Sequence, residues 1–121
     1  MDWVEKRSEC TNARVMNELR RGVEPDVVAR NKILTQNDQM RFEVKDGRDL
    51  DSFTVMRHSQ RSDSVYFYAQ DNAITVLKGM EPFLQGSITL NDAGECRLKV
   101  KDVELEFWQF RRRALEELFR F

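Results

Sequence analysis

The sequence predicts one α+β domain, with a kinked N-terminal helix or helix pair, an antiparallel meander of six or seven strands, and a C-terminal helix packed on the sheet. Three observations carry this. Apolar residues recur with a period of 3.6 at both ends of the chain and with a period of 2 between them. Turn-forming residues punctuate the middle at short intervals. A length of 121 residues suits a single domain with one core. The expected division of 1–121 is helical over 1–34, sheet over 40–106 and C-terminal helix over 107–120.

At the N-terminus, Asp2 and Glu5 have the spacing of a capping box. At 100° per residue, Val4, Val15, Met16, Leu19, Val23, Val27 and Leu34 fall on one face. That phase holds across Gly22 and Pro25, but proline cannot donate the bond an unbroken helix needs. Either two helices or one kinked helix is therefore expected, with the break at Gly22 to Pro25. An unbroken helix over the whole segment would span about 48 Å, long beside a radius of gyration of about 14 Å. It must bend around the body or lie against a second copy.

From Met40 the period changes. Met40, Phe42 and Val44 alternate with Arg41, Glu43 and Lys45, as in a half-buried strand. A loop from Asp46 to Asp51 follows, then strands over Ser52 to Arg57, Ser64 to Gln70 and Ala73 to Lys78. Asp71-Asn72 suits a two-residue hairpin with positive φ. That turn sets Phe67 opposite Val76, Ala69 opposite Ile74, Tyr68 opposite Thr75 and Tyr66 opposite Leu77. A five-residue loop ending near Asp63 sets Phe53 opposite Phe67 and Val55 opposite Val65. Gly94 suits a three-residue turn that pairs Leu90 with Cys96 and Ile88 with Leu98. Lys101-Asp102 would pair Val100 with Val103 and Leu98 with Leu105. Each turn aligns apolar partners, and a slip of one residue would scramble them all.

The chain ends on a helical pattern. Phe107, Trp108, Phe110, Ala114, Leu115, Leu118 and Phe119 fill one half of the wheel. Residues 103–106 alternate like a strand, yet Asp102 could cap a helix there. A short strand running into the helix is the reading adopted.

Composition narrows function by exclusion. Twenty basic and 21 acidic residues leave a net charge of −1. No long-range field of one sign draws the chain to nucleic acid or an anionic membrane. No apolar run approaches the roughly 20 residues of a membrane span. The opening Met1-Asp2-Trp3-Val4-Glu5 lacks a basic head and apolar stretch. Cys10 and Cys96 form no CxxC pair and read as buried thiols of a reducing compartment. A cytoplasmic protein with no membrane contact is expected.

The most informative segment is Ser64-Val65-Tyr66-Phe67-Tyr68-Ala69, which has no charged side. Val65, Phe67 and Ala69 should face the core. Tyr66 and Tyr68 then join Thr54, Met56, Thr75 and Leu77 on the outer face. A face meeting only water would carry more polar residues. Met56, Tyr66, Tyr68, Thr75 and Leu77 are thus the candidate binding residues, to be covered by the second terminal helix, a twin chain, or a partner or ligand. A nucleic-acid partner is not expected, because basic residues are sparse among these aromatics.

Arg111 falls inside the apolar arc of the last helix, between Phe107 and Leu118. It needs a carboxylate partner, from the sheet, or else serves as an anchor for an anionic ligand. Arg112 and Arg113 complete the one basic run, read as a solvated face beside Glu116 and Glu117. His58, the sole histidine, reads as a loop residue rather than a catalytic base. Cys10, Cys96 and His58 lack zinc spacing. Asp38, Glu43 and Lys45 superficially match a metal-dependent nuclease element. Asp46, Asp49 and Asp51 lack the spacing of a calcium loop. No cofactor and no metal are expected.

Seven strands and a Trp108-bearing helix over 40–121 resemble the pleckstrin-homology architecture. The long N-terminal helix and the acidic Asp46-to-Asp51 loop depart from it, so the resemblance implies topology alone. The function expected is a small non-catalytic binding module that associates with a protein partner or with itself as a homodimer. The alternatives are a small-ligand binder, with its pocket between sheet and helix, and the nuclease.

Overall fold

In the computed structural model the described residues are 10–33, 41–47, 51–58 and 63–119. They form helix α1 (Asn12–Ile33), strands β1 (Phe42–Asp46), β2 (Ser52–Arg57), β3 (Ser64–Gln70), β4 (Ala73–Lys78), β5 (Glu81–Leu90), β6 (Cys96–Val100) and β7 (Val103–Leu105), and helix α2 (Phe107–Leu118). The strands make one seven-stranded antiparallel meander in chain order. The expected register is observed at every pair named above. Positive φ at Asp71, Asn72, Lys101, Asp102 and Gly94 supplies the turns. Asn91 fixes the longer turn by accepting the N–H groups of Ala93 and Glu95 on its Oδ1. Residues 103–105 are strand, and Glu106 precedes the helix, its N–H donating to Gln109 Oε1 at 2.9 Å.

Both helices lie on one face of this sheet. Val15, Met16, Leu19, Val23 and Val27 of α1 and Phe110, Ala114, Leu115 and Leu118 of α2 share a single buried cluster with Phe53, Val55, Val65, Phe67, Ile74 and Val76. The Phe53 and Phe67 rings stack at 4.5 Å across β2 and β3. Burying that much apolar surface is the main stabilising term. The ring of Phe110 lies against Gly86, where a Cβ would come within 2.9 Å of it. Asn31 accepts the N–H of Phe42 and donates to its carbonyl, at 2.8 and 3.0 Å, so α1 covers part of the β1 edge.

Three expectations are narrowed or corrected. First, of the kinked helix or helix pair expected, the structure has the single helix: α1 runs through Gly22 and Pro25. Pro25 and Arg21, the residue whose carbonyl loses its partner, are both exposed, so the missing bond falls on the solvent side. At 1.5 Å per residue these 22 residues span about 33 Å, close to the width of the body. The overhang argument for a second copy therefore fails for the described helix. Its expected cap at Asp2 and Glu5, with Val4, lies outside the described residues, as do Leu34 and Met40. Within them, Thr11 Oγ1 accepts the N–H of Arg14 at 3.3 Å.

Second, Cys10 and Cys96 are not free thiols but a disulfide that ties the approach to α1 onto β6. Pairing over 86 residues depends on a tertiary contact that spacing does not reveal. Disulfides persist in oxidising compartments, so the cysteines no longer argue for a reducing one. Among the described residues no helix is long and apolar enough to cross a membrane. Third, Trp108 does not join the core. It is 48% exposed, and its indole N–H donates to the carboxylate of Glu106.

Candidate interaction surface

Alternation along the strands puts Thr54, Tyr66, Leu77 and Pro82 in one cross-strand row on the face away from the helices. Ser52, Tyr68, Thr75 and Gln85 make the next row, and Met56 lies opposite Ser64. The Tyr66 and Tyr68 rings stack on each other at 5.7 Å. Both rings are half-buried, as are Met56 and Leu77. Thr75 is only 6% exposed, and its hydroxyl accepts a bond from Gln85 Nε2 at 3.2 Å. The five candidate residues thus share one face. The second terminal helix does not cover it, because α2 packs with α1 on the other side. Among the described residues, no helix lies over the tyrosines.

Arg111 has a different setting from the one expected. It crosses to α1, not to the sheet, and its Nε donates to Asp26 Oδ2 at 2.6 Å. The guanidinium lies over Gly22, where a Cβ would stand 2.0 Å from Nη1. A glycine inside a helix thus has its reason in a neighbour far along the chain. A groove of about 410 Å³ opens beside this pair between the helices, bordered by Ile33, Trp108 and Leu115. The space between sheet and helices, where a ligand pocket was expected, is filled at its centre by the core cluster.

Several other charged groups make structural contacts. Arg57 is 8% exposed, bonds Asp63 Oδ2 at 2.8 Å, and its guanidinium carbon lies 4.5 Å from the Phe42 ring centroid. Arg30 donates to the Phe119 carbonyl and Lys78 to that of Glu117, so cations from α1 and β4 meet the C-terminal end of α2. Burial, then the charge of Arg57, pull the Arg30 pKa down. The bond to Asp46 pushes that of Arg20 up. His58 Nδ1 sits 3.4 Å from Glu43 Oε2 on the exposed surface, and Glu43 also lies 3.8 Å from Lys45. Asp38 and Asp49 are outside the described residues. No cluster of metal-ligating side chains occurs among the described ones.

The sequence reading missed a second feature, at the far end of the same face. Strand β5 starts at Glu81, after a Gly79-Met80 turn in which both residues have positive φ. A bulge opposite Val76 and Leu77 follows. A hollow of about 700 Å³ lies there, bordered by Tyr68, Phe83, Gln85, Lys99, Lys101 and Arg113. The two-residue turn containing glycine was the available signal. No family model, curated protein or solved structure matches the chain.

Proposed function

We propose that this chain is a non-catalytic binding module whose recognition surface is the outer sheet face centred on Tyr66 and Tyr68, with a protein as its partner. The observation that carries this reading is the side of the sheet on which both helices pack. They bury Phe53, Phe67 and Val76 and leave the tyrosine pair, Met56 and Leu77 on the opposite face. Tyrosine is well suited to such a role, since a rigid ring offers apolar area and its hydroxyl a polar tip. A second copy of the chain is one partner of this kind, and the face would then be shared about a two-fold axis.

The test compares the native chain with the double variant Tyr66→Ser and Tyr68→Ser. Sedimentation velocity over a hundredfold concentration range reads self-association, and affinity capture followed by titration with each purified partner reads binding. The expected result is an association that the native chain makes and the variant loses, at nearly unchanged Tm. Equal association by both proteins would overturn the assignment of the face.

A further inference from the structure

We infer that the first half of β5 is an open docking edge that accepts an extended acidic peptide as an added strand. The inference rests on reading the chain as a protein-binding module and gives its partner a backbone geometry and a charge. The geometry comes first. Strand β5 pairs with β4 along Glu81 to Ser87, but β6 pairs with β5 only over Ser87 to Leu90. Beyond Val100 the chain turns away at Lys101-Asp102 into β7. Among the described residues, Glu81 to Gly86 are therefore laddered on one side alone.

The direction of the free groups follows from the alternation of antiparallel bonds. The N–H of Ile88 donates to the Asn72 carbonyl at 2.9 Å, so the main-chain groups of Ile88 face β4. Those of Ser87 then face β6, and those of Gln85, two residues back, point the same way. At Gln85 there is no β6 left to meet them. They look into the 700 Å³ hollow, which Gln85 itself lines. A strand laid there continues the line of β6. Pro82 has no N–H to offer, so the usable ladder begins after it.

Charge names the occupant. Lys99, Lys101 and Arg113 reach the hollow from β6, the β6–β7 turn and α2, and no carboxylate lines it. None of the three belongs to an ion pair among the described residues. Glu104 lies opposite Lys99 across β6 and β7, but its carboxylate accepts from Asn91 Nδ2. By contrast Arg97, Arg111 and Arg112 all have carboxylates within 4 Å. Main-chain pairing supplies affinity in strand addition, and side-chain contacts supply selectivity. Here acidic side chains would meet the three cations, and apolar ones Tyr68 and Phe83, the latter 38% exposed.

The experiment selects random dodecapeptides displayed on phage against the full chain, with counter-selection on the variant Lys99→Glu, Lys101→Asn, Arg113→Glu. Asparagine is chosen at 101 because that residue has φ +48°. The expected peptides are rich in Asp and Glu and alternate with apolar residues. By fluorescence polarisation they bind the variant at least tenfold more weakly. They slow hydrogen exchange of the Gln85 amide, and N-methylation of alternate peptide nitrogens abolishes binding. Met56→Ser, on the tyrosine face but neither lining the hollow nor stacked on Tyr68, leaves this binding intact, so failure of the tyrosine face and failure of the edge are told apart. The inference is overturned if no peptide is enriched over the variant, or if N-methylated peptides bind as well. It is also overturned if a twelve-residue oligothymidylate binds the hollow and the peptides do not.

Discussion

The contact between Arg111 and Gly22 makes a prediction with a sign that depends on its background. In a helix interior, Gly→Ala stabilises by about 1 kcal/mol. At Gly22 the new methyl would stand 2.0 Å from Arg111 Nη1 and 2.6 Å from its guanidinium carbon. These atoms end a flexible side chain, so the guanidinium swings aside and leaves Asp26. Asp26 is 38% exposed, which keeps the lost pair at about 0.5–1 kcal/mol. Gain and loss then nearly cancel, and Gly22→Ala alone moves stability by under about 0.5 kcal/mol. In an Arg111→Ala background nothing opposes the helix term, and the same substitution stabilises by about 1 kcal/mol, or about 4 °C in Tm for a domain of this size. Urea unfolding of the four proteins closes the cycle, with an expected coupling of about 1 kcal/mol. A gain of about 4 °C in both backgrounds would refute the placement of Arg111 over Gly22.

Reduction of the Cys10–Cys96 bond, or Cys→Ser at both positions, opens a loop of 86 residues. It lowers stability by about 4.5 kcal/mol on the chain-entropy scale, read from urea curves with and without dithiothreitol; a change under about 1 kcal/mol contradicts the bond. Gly86→Ala forces a methyl to 2.9 Å from the Phe110 ring and 3.1 Å from Leu98. It costs about 1–3 kcal/mol, and a neutral thermal melt would show that α2 does not lie there. Met80 is 91% exposed with φ +69°, so Met80→Gly relieves a left-handed strain and stabilises by about 0.5–1 kcal/mol; an unchanged or lower Tm argues against that turn.

What the sequence disclosed follows from where the determining information lies. The register of β4 with β5, which passes through a bulge, was not readable. That of β2 with β3, β3 with β4, β5 with β6 and β6 with β7 was, because strand alternation and turn residues are local signals, and each of those turns could be checked against the apolar partners it produced. The inward face of α1 was readable for the same reason. The choice between one helix and two was not, because Gly22 and Pro25 are helix breakers by local preference and are overridden by packing and by the exposure of Pro25. The partner of Arg111 and the disulfide were hidden for a common reason: both join residues more than 80 positions apart, |i−j| being 85 and 86. Burial of Arg57 escaped notice too, since it needs Asp63 and the ring of Phe42 around it. Of the outer surface, the tyrosine face was legible as a period-2 pattern. The open edge was not, because it depends on β6 being shorter than β5, a difference between two strands rather than a property of either.

On the proposed reading, recognition and stability fall on different sides of one sheet. The inner side holds the stacked phenylalanines, both helices and most of the buried area. The disulfide clamps α1 to β6 from that side. A partner landing on the other side would therefore meet rings and edge groups that the fold already holds in place. That matters because ordering costs about 0.5–1.5 kcal/mol for each flexible side chain immobilised at an interface. Tyr66 and Tyr68 have met part of this cost by stacking on each other, and Gln85 is held by its bond to Thr75. Lys99, Lys101 and Arg113 have not, being exposed and without ion-pair partners among the described residues. Substitution of the cations should therefore act chiefly on association rate and salt dependence. Substitution of the tyrosines should act on dissociation, and that difference separates the edge from the face in any partner that uses both.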